Sequence, residues 1–167
     1  MRKFNRDFVD GLKRSDVLGC DPAAHFGYHS IHGSGTWFFP NTESASAKYG
    51  EDYHQLKCFR DTLKKFIEDN NIRVVASEAI DGNCKSWVSL RKLAEFHGVM
   101  QELCATLDVP IVYFNQKELK KWASGNGNAD KKVMMDCCVK RWHIIPVDDN
   151  NADAVHVFMH FVSRYGL

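Results

Sequence analysis

Two short apolar runs, residues 73–77 (Arg-Val-Val-Ala-Ser) and 110–115 (Pro-Ile-Val-Tyr-Phe-Asn), flank one long amphipathic stretch, 86–109. Strands alternating with helical patterns indicate a layered α/β domain. Upstream, 17–20 reads as a short strand closing on Asp21 and Pro22, because proline cannot donate to a sheet ladder. Residues 26–41 read as two strands about the turn Gly33-Ser34-Gly35. A hairpin followed by helix–strand alternation predicts one α/β domain over 1–167, with a mixed central sheet flanked by helices.

The helices are marked by their apolar spacing. Leu56, Phe59, Leu63, Phe66 and Ile67 make one stripe, and Trp87, Leu90, Leu93, Ala94, His97, Met100, Cys104 and Leu107 make a second. After 110–115 come a short helix or turn over 116–123, the loop Ser-Gly-Asn-Gly-Asn-Ala, and a helix over 130–142 that starts near Asp130. Pro146 breaks the chain before a final helix over 151–165, with Ala154, Val157, Phe158, Phe161 and Val162 inward.

A 167-residue chain with 44% apolar and 26% charged residues has enough apolar mass for a real core. No apolar run approaches the roughly 18 residues that a membrane span needs, and the basic N-terminus lacks the apolar centre of a secretory leader. The six cysteines include no Cys-x-x-Cys pair and lie in apolar segments, as buried free thiols of a reducing cytosol do. The expected location is therefore cytoplasmic, with no membrane partner.

The unusual positions are acidic. Asp21 follows one apolar strand and Glu78 follows another, with Ala79 and Ile80 directly behind it. Asp153 falls in the first turn of the last helix, with Asp148 and Asp149 just before it. A carboxylate is almost never buried without a partner, and sites in α/β sheets form at strand carboxyl ends. Each residue has an ordinary reading: a solvent-facing loop for Glu78, a helix-dipole partner for Asp153. As a set they suit hard divalent cations, which take carboxylate, water and phosphate oxygens. A pair of such ions roughly 3.5–4 Å apart serves phosphodiester cleavage. No Cys/His spacing supports zinc: His156 and His160 lack a His-Glu-x-x-His pattern, and His97 lies on an apolar stripe. His25, His29 and His32 read as a solvated hairpin face.

Four separated pieces, VLGCDPA with Asp21, VVASEAI with Glu78, VPIVYFNQKELKKWASGNGNADKKVMM, and PVDDNNADAV with Asp153, resemble in kind and order the RuvC-type Holliday junction resolvases of the RNase H-like superfamily. The likeness spans roughly residues 17–162 and looks closest to the phage branch. It implies an RNase H-like fold, a homodimer, and incision of branched DNA with magnesium (manganese as a substitute), in a bacterial or phage-infected cytosol. It also implies four acidic ligands. Asp21, Glu78 and Asp153 carry over directly. The family's fourth ligand, an Asp or His three residues before the last Asp, is Asn150 here. Asp149, one helical turn from Asp153, is the better candidate, with Asn150 as a weaker neutral oxygen ligand.

Between 117 and 142, Lys117, Lys120, Lys121, Lys131, Lys132, Lys140 and Arg141 outnumber Glu118, Asp130 and Asp136. That excess fits phosphate binding, and Lys131 or Lys132 is the first candidate for the phosphate near the scissile bond. Trp122 reads either as a base-stacking ring or as a core ring, and Phe38 and Phe39 read as core. The reading that follows is a magnesium-dependent endonuclease that resolves four-way junctions by paired incisions. The alternatives are a branched-DNA-binding module that does not cut, and an RNase H-like nuclease acting on flaps or hybrids.

Overall fold

Side chains that alternate between the two faces of a single five-stranded sheet fall into two core layers, one on each face. The computed structural model describes residues 9–41, 53–80 and 86–167. The strands are β1 (Val17–Asp21), β2 (His25–Ser30), β3 (Gly33–Phe38), β4 (Val74–Glu78) and β5 (Ile111–Phe114). Their order is β3-β2-β1-β4-β5, with β3, β2 and β1 antiparallel and β1, β4 and β5 parallel. This mixed sheet is the one the alternation predicts.

On one face, Leu18, Cys20, Phe26 and Val75 pack against Phe59, Leu63 and Ile67 of α1 (Tyr53–Asp69) and Phe96, Met100 and Leu103 of α2 (Trp87–Thr106). On the other face, Val17, Val74, Ala76, Val112 and Phe114 pack against α3 (Gln116–Ser124) through Leu119 and α5 (Asp149–Tyr165) through Val157, Phe158 and Phe161. Helix α4 (Lys131–Cys137) continues into a π-turn over Cys138–Trp142 and packs beside α5. The His156 ring bonds the Met134 carbonyl at 2.9 Å and accepts from the Trp142 indole at 3.3 Å.

Several expectations need correction. The hairpin turns at Ile31-His32, and Gly33 and Gly35 lie in β3, where they leave room for the ring of Tyr28. Helix α5 begins at Asp149 with Asp148 as its cap, so Asp153 sits in its second turn. Of the three hairpin histidines, His29 packs edge-on against Phe158 and is held down to about 4 by burial, while His32 sits in the turn and bonds the Ser15 carbonyl at 3.0 Å. On α2, His97, Met100 and Cys104 are buried as expected, joined by Phe96 and Leu103, whereas Ala94 and Trp87 are exposed. Phe39 is core as expected, but Phe38 is 59% exposed. Trp122 stacks on Trp142, with ring centroids 5.2 Å apart. Cys20, Cys58, Cys104, Cys137 and Cys138 are free thiols; Cys84 lies outside the described residues.

Candidate active site

Parallel pairing sets Cys20 opposite Ser77, so the next residues, Asp21 and Glu78, end neighbouring strands side by side. Strand spacing of about 4.8 Å keeps two such residues close, and equal parity points them to one face. That face is the one covered by α5. Two glycines let the helix come down onto it. A Cβ on Gly19 would lie 2.7 Å from the Ala154 carbonyl oxygen and from Phe158, and one on Gly27 would overlap the Asn150 carbonyl. Only a residue without a side chain permits this approach.

The start of α5 is tied to the hairpin by polar contacts. Asp148 accepts from the Asn151 amide at 2.8 Å and from the Thr36 hydroxyl at 2.6 Å. Asn151, only 2% exposed, donates to the Tyr28 carbonyl and to Ser34 Oγ, both at 2.9 Å. This fixes Asp149 and Asp153, one turn apart, above the carboxyl ends of β1 and β4. Gly19, Gly27, Thr36 and Asn151 were not singled out by the sequence. A glycine inside a strand is a signal of close backbone approach, whereas nothing marks Thr36 or Asn151.

The electrostatics reflect how closely the acids meet. Burial pushes Asp21 up to about 7, and the Asp153 and Asp149 carboxylates add to the rise. Glu78 is 8% exposed and ends a buried strand, so the solvent-loop reading fails. Its carboxyl is raised first by burial and then by Asp21 and Asp153; Gln116, donating to Oε2 at 3.2 Å, and Lys120 oppose this. Burial raises Asp153 to about 6, with Lys120 pulling downward. Asp149 behaves differently: its hydrogen bond with the Lys131 ammonium holds it below the usual range. Asn150 lies beside Asp149 on the wall of an adjoining groove.

The lysines divide into two groups. Lys120 and Lys131 act on the carboxylates. Lys117, Lys121 and Lys132 are exposed on α3 and α4. As the side chains stand, no three His, Cys, Asp or Glu groups among the described residues enclose an ion, and Lys131 supplies the cationic charge at Asp149. The donor set still fits a hard divalent cation. It offers only oxygen, burial and mutual repulsion raise three of its acids and so work against their charged forms, and a cation relieves that repulsion.

No protein-family model matches the chain. The crossover junction endodeoxyribonuclease RuvC of Christiangramia forsetii is 29% identical over 119 residues, which covers 70% of this chain and 62% of that protein. The RuvC of Rickettsia akari is 29% identical over 130 residues, 71% of this chain and 77% of that one. The solved structure of Thermus thermophilus RuvC superposes with a TM-score of 0.66 over 90% of this chain and 96% of that one, at 16% identity. In sequence and in fold, the chain is similar to RuvC-type Holliday junction resolvases. The same Thermus protein in complex with a Holliday junction substrate gives a TM-score of 0.67 at 16% identity, covering 90% of this chain and 95% of that one. The yeast mitochondrial Holliday junction resolvase Ydc2 gives 0.58 at 13% identity, covering 96% and 86%. These likenesses carry the RNase H-like fold of the RuvC family across almost the whole chain. Among the described residues, no helix is long and apolar enough to cross a membrane.

Proposed function

We propose that this RuvC-like protein is a structure-specific endonuclease that cuts four-way DNA junctions with a divalent metal, magnesium or manganese. The observation that carries the reading is the meeting of Asp21, Glu78 and Asp153 from three elements, each raised by burial, with two lysines beside them. Asp21, Glu78, Asp149 and Asp153 would hold the metal, with Asn150 as a neutral oxygen donor. When bound, a metal pair supplies an activated water and stabilises the leaving oxygen.

The chain's own residues do the rest. The Gln116 amide orients the Glu78 carboxylate. Asp149 is paired with Lys131 and must exchange that partner to ligate, which frees the ammonium for a phosphate oxygen. Lys120 places a second positive charge where the phosphodiester develops negative charge. Lys117, Lys121 and Lys132 extend the basic surface for the neighbouring phosphates. A two-fold pair of such sites suits symmetric incision of a junction. The homodimer this needs is supported by the exposed start of α2, where Trp87 is 77% and Val88 70% exposed.

The test incubates a labelled four-way junction and a matched linear duplex with the protein, with magnesium or with chelator, alongside Asp21→Asn and Glu78→Gln. Magnesium-dependent cutting of the junction alone, lost in both variants, is the expected result. Tight junction binding without cutting under any divalent ion would replace the nuclease by a binding module. Equal cutting of both DNAs would remove junction specificity and leave the metal site standing.

A further inference from the structure

Three cross-strand rows of β2 and β3 face α5. The first, His29 with Ser34, is covered by Phe158 and Asn151. The second, Gly27 with Thr36, is covered by the Asn150 carbonyl and by Asp148. The third, His25 with Phe38, lies one row further along, beyond the point where α5 begins. Both of its rings are exposed, Phe38 by 59%, and they lie against each other with centroids 4.5 Å apart and planes tilted by 31°.

An aromatic pair in water at the end of a sheet gains little for the fold, since the core beneath it is already closed by Phe39 and Trp37. Its position is more informative. Asp21 pairs with Gly27, so the rings stand one row, about 7 Å, beyond the carboxylate on the same sheet face. His25 also borders a groove of about 650 Å³ whose other walls include Lys92, Lys131, Asp149 and Asn150. That groove runs from His25 to Asp149 at the start of α5, and its Lys92 and Lys131 ammonium groups suit a phosphate chain.

We propose that His25 and Phe38 form a stacking platform for one unpaired nucleobase, next to the phosphate held at the carboxylates. The inference rests on the nuclease reading for the position of that phosphate. Stacking on an aromatic face tolerates any base, so the platform selects an unstacked nucleotide and does not read sequence. It favours strands already splayed at a branch over continuous duplex, because a paired base must first leave its stack.

The test uses the full chain and a four-way junction carrying 5-iodo-deoxyuridine next to the branch point. Long-wavelength irradiation joins that base to a ring stacked on it, and mass spectrometry locates the bond. Binding is measured in calcium, and cutting in magnesium, on the same junction. The expected result is attachment at Phe38 or His25, about 10-fold weaker junction binding by Phe38→Ala, recovery in Phe38→Trp, and none in Phe38→Leu. An unchanged melting temperature in all three variants separates the effect from misfolding. If the parent chain cuts while Phe38→Ala binds, attaches and cuts like it, the platform is wrong and the nuclease reading stands. If the parent chain never cuts yet attaches at Phe38 and loses affinity in Phe38→Ala, the platform is right and the nuclease reading is wrong. Recovery by leucine would reduce Phe38 to an apolar contact and overturn the stacking.

Discussion

Asp21 and Asp153 share a predicament that sets the pH behaviour of the metal-free protein. Their folded-state values, about 7 and about 6, lie above the unfolded value near 3.8. Across that interval the folded chain keeps protons that the unfolded chain has lost, so stability falls as pH rises from about 4 to about 7. The melting temperature without metal is therefore expected to drop on the order of 5 °C between about pH 5 and pH 8. Asp21→Asn removes one of the forced charges, so it should raise the metal-free melting temperature at pH 8, flatten the pH dependence, and abolish cleavage. Thermal melts of both proteins over that range check this, and a less stable asparagine variant would contradict it. At this scale much of the site was legible. A carboxylate directly behind an apolar strand run marks Asp21 and Glu78 because burying a charge demands a reason. The exposure of Phe38 was not legible, because apolarity says nothing about where a neighbouring helix stops.

Among the elements, α5 decides the site, and its approach to the sheet is decided by the absence of side chains. Gly27→Ala would force the Asn150 carbonyl, and with it the first turn of α5, off the sheet. We expect a loss of about 1–3 kcal/mol of stability and at least a tenfold fall in cleavage, because Asp149 and Asp153 move together. Chemical denaturation and single-turnover cleavage measure the two effects; a variant with native activity would show that the helix can slide without penalty. The existence of the helices was readable from apolar spacing, since a buried face repeats every 3–4 residues. Their ends were less so. By spacing alone Asp148 and Asp149 both precede the helix, and only the bonds from Thr36 and Asn151 show that Asp148 is the cap and Asp149 the first residue.

Across the whole molecule, the lysines separate by position into two beside the carboxylates, Lys120 and Lys131, and three exposed on α3 and α4, to which the proposed function gives a catalytic and a binding part. Replacing Lys117, Lys121 or Lys132 by alanine should weaken junction binding evenly and lower the slope of log affinity against log salt by about 1 for each lysine that neutralises a phosphate. Replacing Lys131 or Lys120 should leave binding within a few-fold and cost about 100-fold in cleavage. Titrations at several salt concentrations, set beside cleavage rates, separate the groups; a uniform effect of all five would remove the distinction. Assembly is a second global property. If the exposed start of α2 forms the two-fold contact, Trp87→Glu should yield a monomer in sedimentation and cut one strand without its partner strand.

By itself the sequence determined the class of fold, the strand-end position of two acids, the presence of a third on the last helix, and the basic surface. Those features are local: hydrophobic period, charge type and short spacing carry them without knowledge of what packs where. Only the tertiary structure decided that β1 and β4 lie side by side, that Lys131 pairs with Asp149, and that His25 and Phe38 end beyond the cover of α5. Each of these depends on contacts between segments far apart in the chain. Strand order and the landing point of a helix follow from how all the layers close together, and no local pattern records them.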